Sequence, residues 1–252
     1  MKTFIYNENF YNTASAREII PTICEILKPQ SVVDVGCGLG TFLKVFKDEG
    51  VKRLVGIDGN WVNPSSLQKN ISISEFISAD LEREVNLDEQ FDLAISLEVA
   101  EHISEKSSGV FIRSLTKLSK VIVFSAAVPG QKGSGHINEQ WPDYWRKKFD
   151  HHNYEFHDVI RPLIWDNPNI FWWYKQNIFL AVHREHHWPQ QEFLVKGNKN
   201  ILNLVHPDLF QGRTSSLDSL QYGADNLGVY TKLLLKGILN KIGLYRKSKV
   251  TY

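Results

Sequence analysis

The most constraining feature of this chain is the run Asp34-Val35-Gly36-Cys37-Gly38-Leu39-Gly40, which ends the β-branched segment SVVDV at 31–35. A short apolar run closing in glycines reads as a buried strand that stops in a tight turn. TFLKVFKDEG at 41–50 then carries helical apolar spacing and stops at Gly50. In such a strand–loop–helix unit the first helical turn aims its unpaired N–H groups at the loop, and glycine lets a ligand approach the backbone. The spacing narrows the ligand. A dinucleotide fingerprint, G-x-G-x-x-G, fails because Thr41 holds the sixth position, and a phosphate loop fails for want of Gly-Lys-Ser/Thr.

The unit repeats along the chain. RLVGID at 53–58, ISISEFIS at 71–78, FDLAISL at 91–97 and KVIVFSAAV at 120–128 read as further strands, and SSGVFIRSLTKLS at 107–119 as a helix. A helix over 16–28 is expected before the first strand, interrupted at Pro21. This alternation predicts an α/β fold, a mostly parallel Rossmann-like sheet with helices on both faces. Beyond it, PGQKGSGHINEQ at 129–140 reads as a loop, WPDYWRKKF at 141–149 as a short helix, and 154–160 and 176–184 as two more strands. The expected domain covers 1–184, and 185–252 forms a mostly helical extension packing on it.

Composition removes whole classes. At 42% hydrophobic and 23% charged, the 252 residues have the makeup of a globular protein, not a disordered one. A net charge of +1 argues against gripping nucleic acid with the whole surface. Cys24 and Cys37 cannot build a disulfide framework or a thiolate zinc cluster. The N-terminal MKTFIYNENFYN lacks the apolar run of a signal peptide, and no segment is apolar for the length of a spanning helix, so a cytoplasmic protein is expected. His151-His152 and His186-His187 are adjacent pairs whose side chains diverge, so no metal is expected.

The pattern D-V-G-C-G-x-G resembles motif I of the class I S-adenosylmethionine-dependent methyltransferases, and the resemblance runs through about 150 residues in order and spacing. It implies a seven-stranded sheet whose last strand is antiparallel, and S-adenosylmethionine as donor, leaving S-adenosylhomocysteine. By resemblance, Asp34, Gly36, Gly38 and Leu39 belong to the donor loop, and Asp58 with Gly59 to the ribose end of the second strand. Asp80 would lie near the adenine amino group, with Leu81 covering the ring. The segment Ser96-Leu97-Glu98-Val99-Ala100-Glu101-His102-Ile103 is similar to the family's stretch bordering the methionine part of the donor and the transfer site.

Methyl transfer to a hydroxyl needs a base held near the acceptor. His136, in the loop after the fifth strand, is the first candidate and His102 the second. Asn138, Glu139, Trp141 and Tyr144 are expected to bind the acceptor, since amide and carboxylate groups read hydroxyls and aromatic faces stack on sugar rings. Lys132, Arg146 and Arg161 could serve a phosphate-like oxygen. The loop GQKGSGHINEQWPDYW and the later IWDNPNIFWWYKQNIFLAV resemble methyltransferases of surface-glycan and capsule biosynthesis, which implies a glycan or small-molecule acceptor and no nucleic-acid partner. The rival readings are an RNA methyltransferase and a non-catalytic nucleotide-binding scaffold. The segment 228–245 has helical apolar spacing, and six basic residues but no acid follow Asp225. It reads either as a helix packed on its own domain or a dimer partner, or as a basic amphipathic helix resting on a membrane.

Overall fold

The computed structural model describes residues 12–186, 202–221 and 227–241. Contacts divide the chain into two compact units, 1–206 and 207–252. The first holds seven strands: β1 (Ser31–Val35), β2 (Arg53–Asp58), β3 (Phe76–Ser78), β4 (Leu93–Leu97), β5 (Val121–Ser125), β6 (Tyr154–His157) and β7 (Phe179–His183). Their order across the sheet is β3-β2-β1-β4-β5-β7-β6. All pairings are parallel except those of β7, which runs antiparallel to both β5 and β6. The expected α/β sheet is the observed one. Strands β1, β4 and β5 are buried almost throughout, as parallel strands covered on both faces must be.

The two faces have separate cores. One gathers Ile19, Ile20 and Ile23 of α1 (Ala14–Leu27) and Leu43 and Phe46 of α2 (Thr41–Asp48) against β1, β2 and β4. The other gathers Phe111 and Leu115 of the helix Ser108–Leu118 with Trp145, Phe149 and Phe156. Here the aromatic second half is core, with Phe124 edge-on to Phe149 at 5.3 Å and Phe156 stacked on Phe179 at 5.5 Å.

Three local expectations differ. Helix α1 runs through Pro21 without a break. A proline inside a helix costs roughly 3 kcal/mol, whereas each fully buried isoleucine gains about 1.5–3 kcal/mol. Ile19, Ile20, Ile23 and Ile26 lie buried on both sides of it, so packing wins. The third strand is only Phe76–Ser78, because Ser72 and Glu75 close a capping box over a 3₁₀ turn at Ile73–Glu75. The aromatic stretch before β7 is a short helix, Trp172–Asn177. Among the described residues, the second unit contains two helices, Pro207–Gln221 and Leu227–Lys241. Residues 242–245 of the expected last helix, and His187, lie outside the described residues.

Candidate active site

The strand order reverses direction between β1 and β4, and open α/β sheets bind ligands beyond the carboxyl ends of their strands at such a point. The glycine loop leaves β1 there. Gly36, Gly38 and Gly40 have φ of 89°, 54° and 75°. At Gly36 the left-handed backbone is compounded by crowding, since a Cβ would overlap the methyl groups of Val99. Val99 belongs to the segment after β4, so the glycine loop and that segment are pressed together. The loop is also pinned to β2, whose Ile57 carbonyl accepts from Gly36 N at 2.7 Å and Cys37 N at 3.2 Å.

Asp58 ends β2 with a buried carboxylate that accepts from Gly38 N at 2.7 Å and Gly59 N at 2.6 Å. These bonds aim it into the loop. Asp34 is buried beside it, and burial followed by the Asp58 charge pushes its carboxyl well above the usual range. The indole of Trp61 lies over Gly59 where a Cβ would stand. Asp80 is 59% exposed, accepts from Glu82 N at 3.0 Å and pairs with Arg83 at 3.4 Å. Leu81 is packed in the core, and Leu39 is buried within the loop. Ser96 is fully buried and donates to Val35 O at 2.8 Å, tying β4 to β1.

Glu98 stands at φ 56° as β4 ends, a strained conformation for a residue with a side chain. Its carboxylate accepts from Gln131 Nε2 at 2.7 Å and Asn177 Nδ2 at 3.0 Å. Burial raises its pKa, and those donors with Ser125 pull it back. The sequence reading missed Gln131 and Asn177. They come from a loop and a helix far away in the chain, and only the folded sheet edge brings them to Glu98.

Glu101 is also a residue the sequence reading did not single out. It is 0% exposed, and no hydrogen bond reaches either carboxylate oxygen. Burial first, then the charge of Glu98, drives its pKa well up. The N–H groups of Glu101 itself and Ala127 offset this only in part, without forming full hydrogen bonds to it. Its main-chain carbonyl anchors the loop after β5, accepting from Ile137 N at 2.9 Å and Asn138 N at 3.0 Å.

That loop is organised by Glu139, which accepts from Gly130 N at 2.8 Å and Lys132 N at 2.6 Å and pairs with His136 Nδ1 at 2.9 Å. Burial opposes ionisation of Glu139, but these partners outweigh it and its pKa falls. An ionised carboxylate can only accept, so His136 carries its proton on Nδ1 and turns Nε2 toward Glu101, 3.9 Å from Oε1. His102 meets His136 edge-on with ring centroids 4.9 Å apart. Burial first, then the His136 charge, lowers the His102 pKa to about 4, while a hydrogen bond to the Gly135 backbone opposes the shift. Both expected histidines therefore share one site.

The expected acceptor residues divide. Asn138 is buried, takes a bond from Gln140 on Oδ1 at 2.9 Å, and leaves Nδ2 without a partner. Trp141 is 39% exposed at the start of the helix Pro142–Asp150. Tyr144 is tied back to Ser108 Oγ at 3.0 Å. Arg161 does not serve an acceptor oxygen. It is buried, with its guanidinium held by Asp158, by the Gln176 and Leu202 carbonyls and over the Phe179 ring. Arg146 pairs with Asp143.

The arrangement fits an adenosyl donor. A positive-φ loop and a carboxylate aimed by two backbone N–H groups meet at the switch point, where a side chain on Gly36 would collide. The methyltransferase-domain family profile matches residues 9–162, more than half of the chain. No curated protein sequence matches significantly. Among solved structures, the sugar N-methyltransferase KedS8 from Streptoalloteichus is similar with a TM-score of 0.55 and 13% identity, over 73% of this chain and 98% of that one. DesVI of Streptomyces venezuelae is similar with a TM-score of 0.50 and 14% identity, over 68% of this chain and 91% of that one. A putative O-methyltransferase from Nostoc punctiforme reaches 0.50 at 12% identity, over 68% of this chain and 56% of that one. The chain belongs to the methyltransferase-domain family and has the Rossmann-like fold of S-adenosylmethionine-dependent methyltransferases.

Proposed function

We propose that this enzyme O-methylates a sugar hydroxyl, or a sugar-linked or phosphate-like oxygen, in the cytoplasmic stage of surface-polysaccharide (capsule) biosynthesis. S-adenosylmethionine supplies an electrophilic methyl group when bound. Asp58 would hold its ribose, Gly36 and Gly38 would admit it to the backbone, and Asp80 would face its adenine. The observation that carries the acceptor reading is the docking of the loop after β5 onto the Glu101 carbonyl, which sets His136 against His102 beside the glycine loop. His136 Nε2 would take the acceptor's hydroxyl proton, a reading supported by the Glu139 contact that fixes its tautomer. The unpartnered Asn138 Nδ2 can donate to a second hydroxyl, because a buried donor left unsatisfied costs about 1–3 kcal/mol. Trp141 offers a partly exposed ring for stacking.

Labelled donor and a panel of nucleotide sugars, glycan precursors and RNA test this. The expected result is label on a sugar acceptor, as an alkali-stable ether where a hydroxyl is methylated and as a methyl phosphate ester where a phosphate oxygen is. His136→Ala should then slow turnover by roughly 100-fold or more while donor binding holds. Label entering RNA alone would replace the reading with an RNA methyltransferase, and donor binding without transfer to any acceptor would favour a scaffold.

We also propose peripheral membrane contact through the helix Leu227–Lys241. Leu227, Leu233, Leu234, Leu235 and Ile238 are exposed on it, and Lys232 and Lys236 lie among them. No described helix is long and apolar enough to cross a membrane. Removing 228–252 should abolish association with anionic liposomes, and unchanged association would refute the contact.

A further inference from the structure

We propose that Glu101, His102 and His136 form a binding site for a divalent first-row transition-metal ion on the acceptor side of the donor loop. Each residue offers one ligand atom, and the three atoms lie within 4.8 Å of one another. Bonds of about 2.0–2.2 Å to a common ion would place ligand atoms no more than about 4.4 Å apart, so small side-chain adjustments close the site. Adjacent histidine pairs elsewhere, His151 with His152 for one, gather no such set among the described residues.

Three features separate this cluster from a chance meeting of polar groups. First, Glu101 is fully buried and neither of its carboxylate oxygens has a hydrogen-bond partner. A carboxylate removed from water is ordinarily paired, hydrogen-bonded or bound to a metal. Its nearest histidine nitrogen, His136 Nε2 at 3.9 Å, is too far for a hydrogen bond but well placed to share an ion. Second, each histidine already has an outer partner for one ring nitrogen. His136 gives Nδ1 to the Glu139 carboxylate at 2.9 Å, and His102 is hydrogen-bonded to the Gly135 backbone. Metal-bound histidines are oriented in this way, by a carboxylate or a carbonyl on the far side of the ring. Third, the supports are rigid. The Glu101 carbonyl holds Ile137 N and Asn138 N, and Glu139 holds Gly130 N and Lys132 N, so both halves of the site are fastened to each other.

The ligand chemistry selects the ion. Two imidazoles and one carboxylate suit manganese through zinc, whereas magnesium and calcium prefer oxygen ligands alone. Three protein ligands leave coordination positions for other oxygens, which under the proposed function would include an acceptor hydroxyl; with the ion in place His136 Nε2 is a ligand and not a base, and the ion would instead lower the pKa of the hydroxyl it holds. That last role rests on the proposed function; the binding of the ion does not.

The test is cobalt(II) titration of the chelator-treated, untagged full chain, read by its visible ligand-field bands. Saturation at one ion per chain is expected. Glu101→Gln, His102→Ala and His136→Ala should each weaken binding by about 10-fold or more. Circular dichroism and S-adenosylmethionine titration report whether each variant is folded. As a measurement on the unaltered chain, zinc should shift the imidazole NMR signals of His102 and His136 and leave those of His151 and His152 in place. Absence of saturable cobalt binding, binding by all three folded variants as tight as that of the unaltered chain, or zinc shifts confined to His151 and His152 would overturn the proposal. Cobalt binding without methyl transfer to any acceptor would keep the ion site and sink the acceptor reading, so the two fail separately.

Discussion

At the scale of single residues, the site depends on positions where only one side chain fits. Gly36 is one. Its φ of 89° and the Val99 methyl groups both exclude a Cβ. Gly36→Ala should lower stability by at least about 2 kcal/mol, combining left-handed strain with overpacking. Adding Val99→Ala should recover part of that loss, the overlap and not the strain. Thermal melting of the single and double variants checks this, and an unshifted melting temperature for Gly36→Ala would contradict it. Asp58 is another. Asp58→Ala should weaken S-adenosylmethionine binding by about 1.5–3 kcal/mol, because a charge-assisted bond to the ribose is lost. Isothermal titration measures it, and unchanged affinity in a folded variant would remove the ribose role. The glycines and Asp58 were legible because turn geometry and strand ends leave fixed marks at short spacing. Glu101 was not. Its isolation depends on the loop at 126–138 folding over it, and nothing within a few residues of it records that event. Asn177 and Gln131 were hidden for the same reason, being partners of Glu98 from 79 and 33 positions away.

At the scale of elements, local rules yielded where packing outweighed them. Strand identities along the first 128 residues follow from β-branched runs, and the structure keeps each of them. Their lengths do not follow: ISISEFIS contributes three residues to the sheet, because the Ser72–Glu75 capping box offers its backbone a competing arrangement. Helix α1 shows the opposite case, a breaker overridden by four buried isoleucines. Pro21→Ala should therefore raise stability by about 1–3 kcal/mol, since the helix gains a hydrogen bond and loses none of its buried face. Chemical denaturation reads this directly, and a lower midpoint would show that the proline ring contributes packing that alanine cannot. In the loop after β5 one carboxylate gathers three groups. Glu139→Ala removes the partner of Gly130 N, Lys132 N and His136 Nδ1 together. Amide exchange at 130–137 should accelerate on that change while β4 and β5 stay protected, and uniform protection would mean the loop is held elsewhere.

At the scale of the whole molecule, the order β3-β2-β1-β4-β5-β7-β6 makes one place where ligands can enter beyond the strand ends, and the chain's polar investment is concentrated there. Asp34, Asp58, Glu98, Glu101 and Glu139 meet at one edge of the sheet from four separate segments, although the net charge is only +1. This edge is expected to be the methyl-donor site. Isothermal titration of the full chain with S-adenosylmethionine tests it most directly. One donor per chain is expected, displaced competitively by S-adenosylhomocysteine. A folded chain that takes up neither compound would contradict the claim.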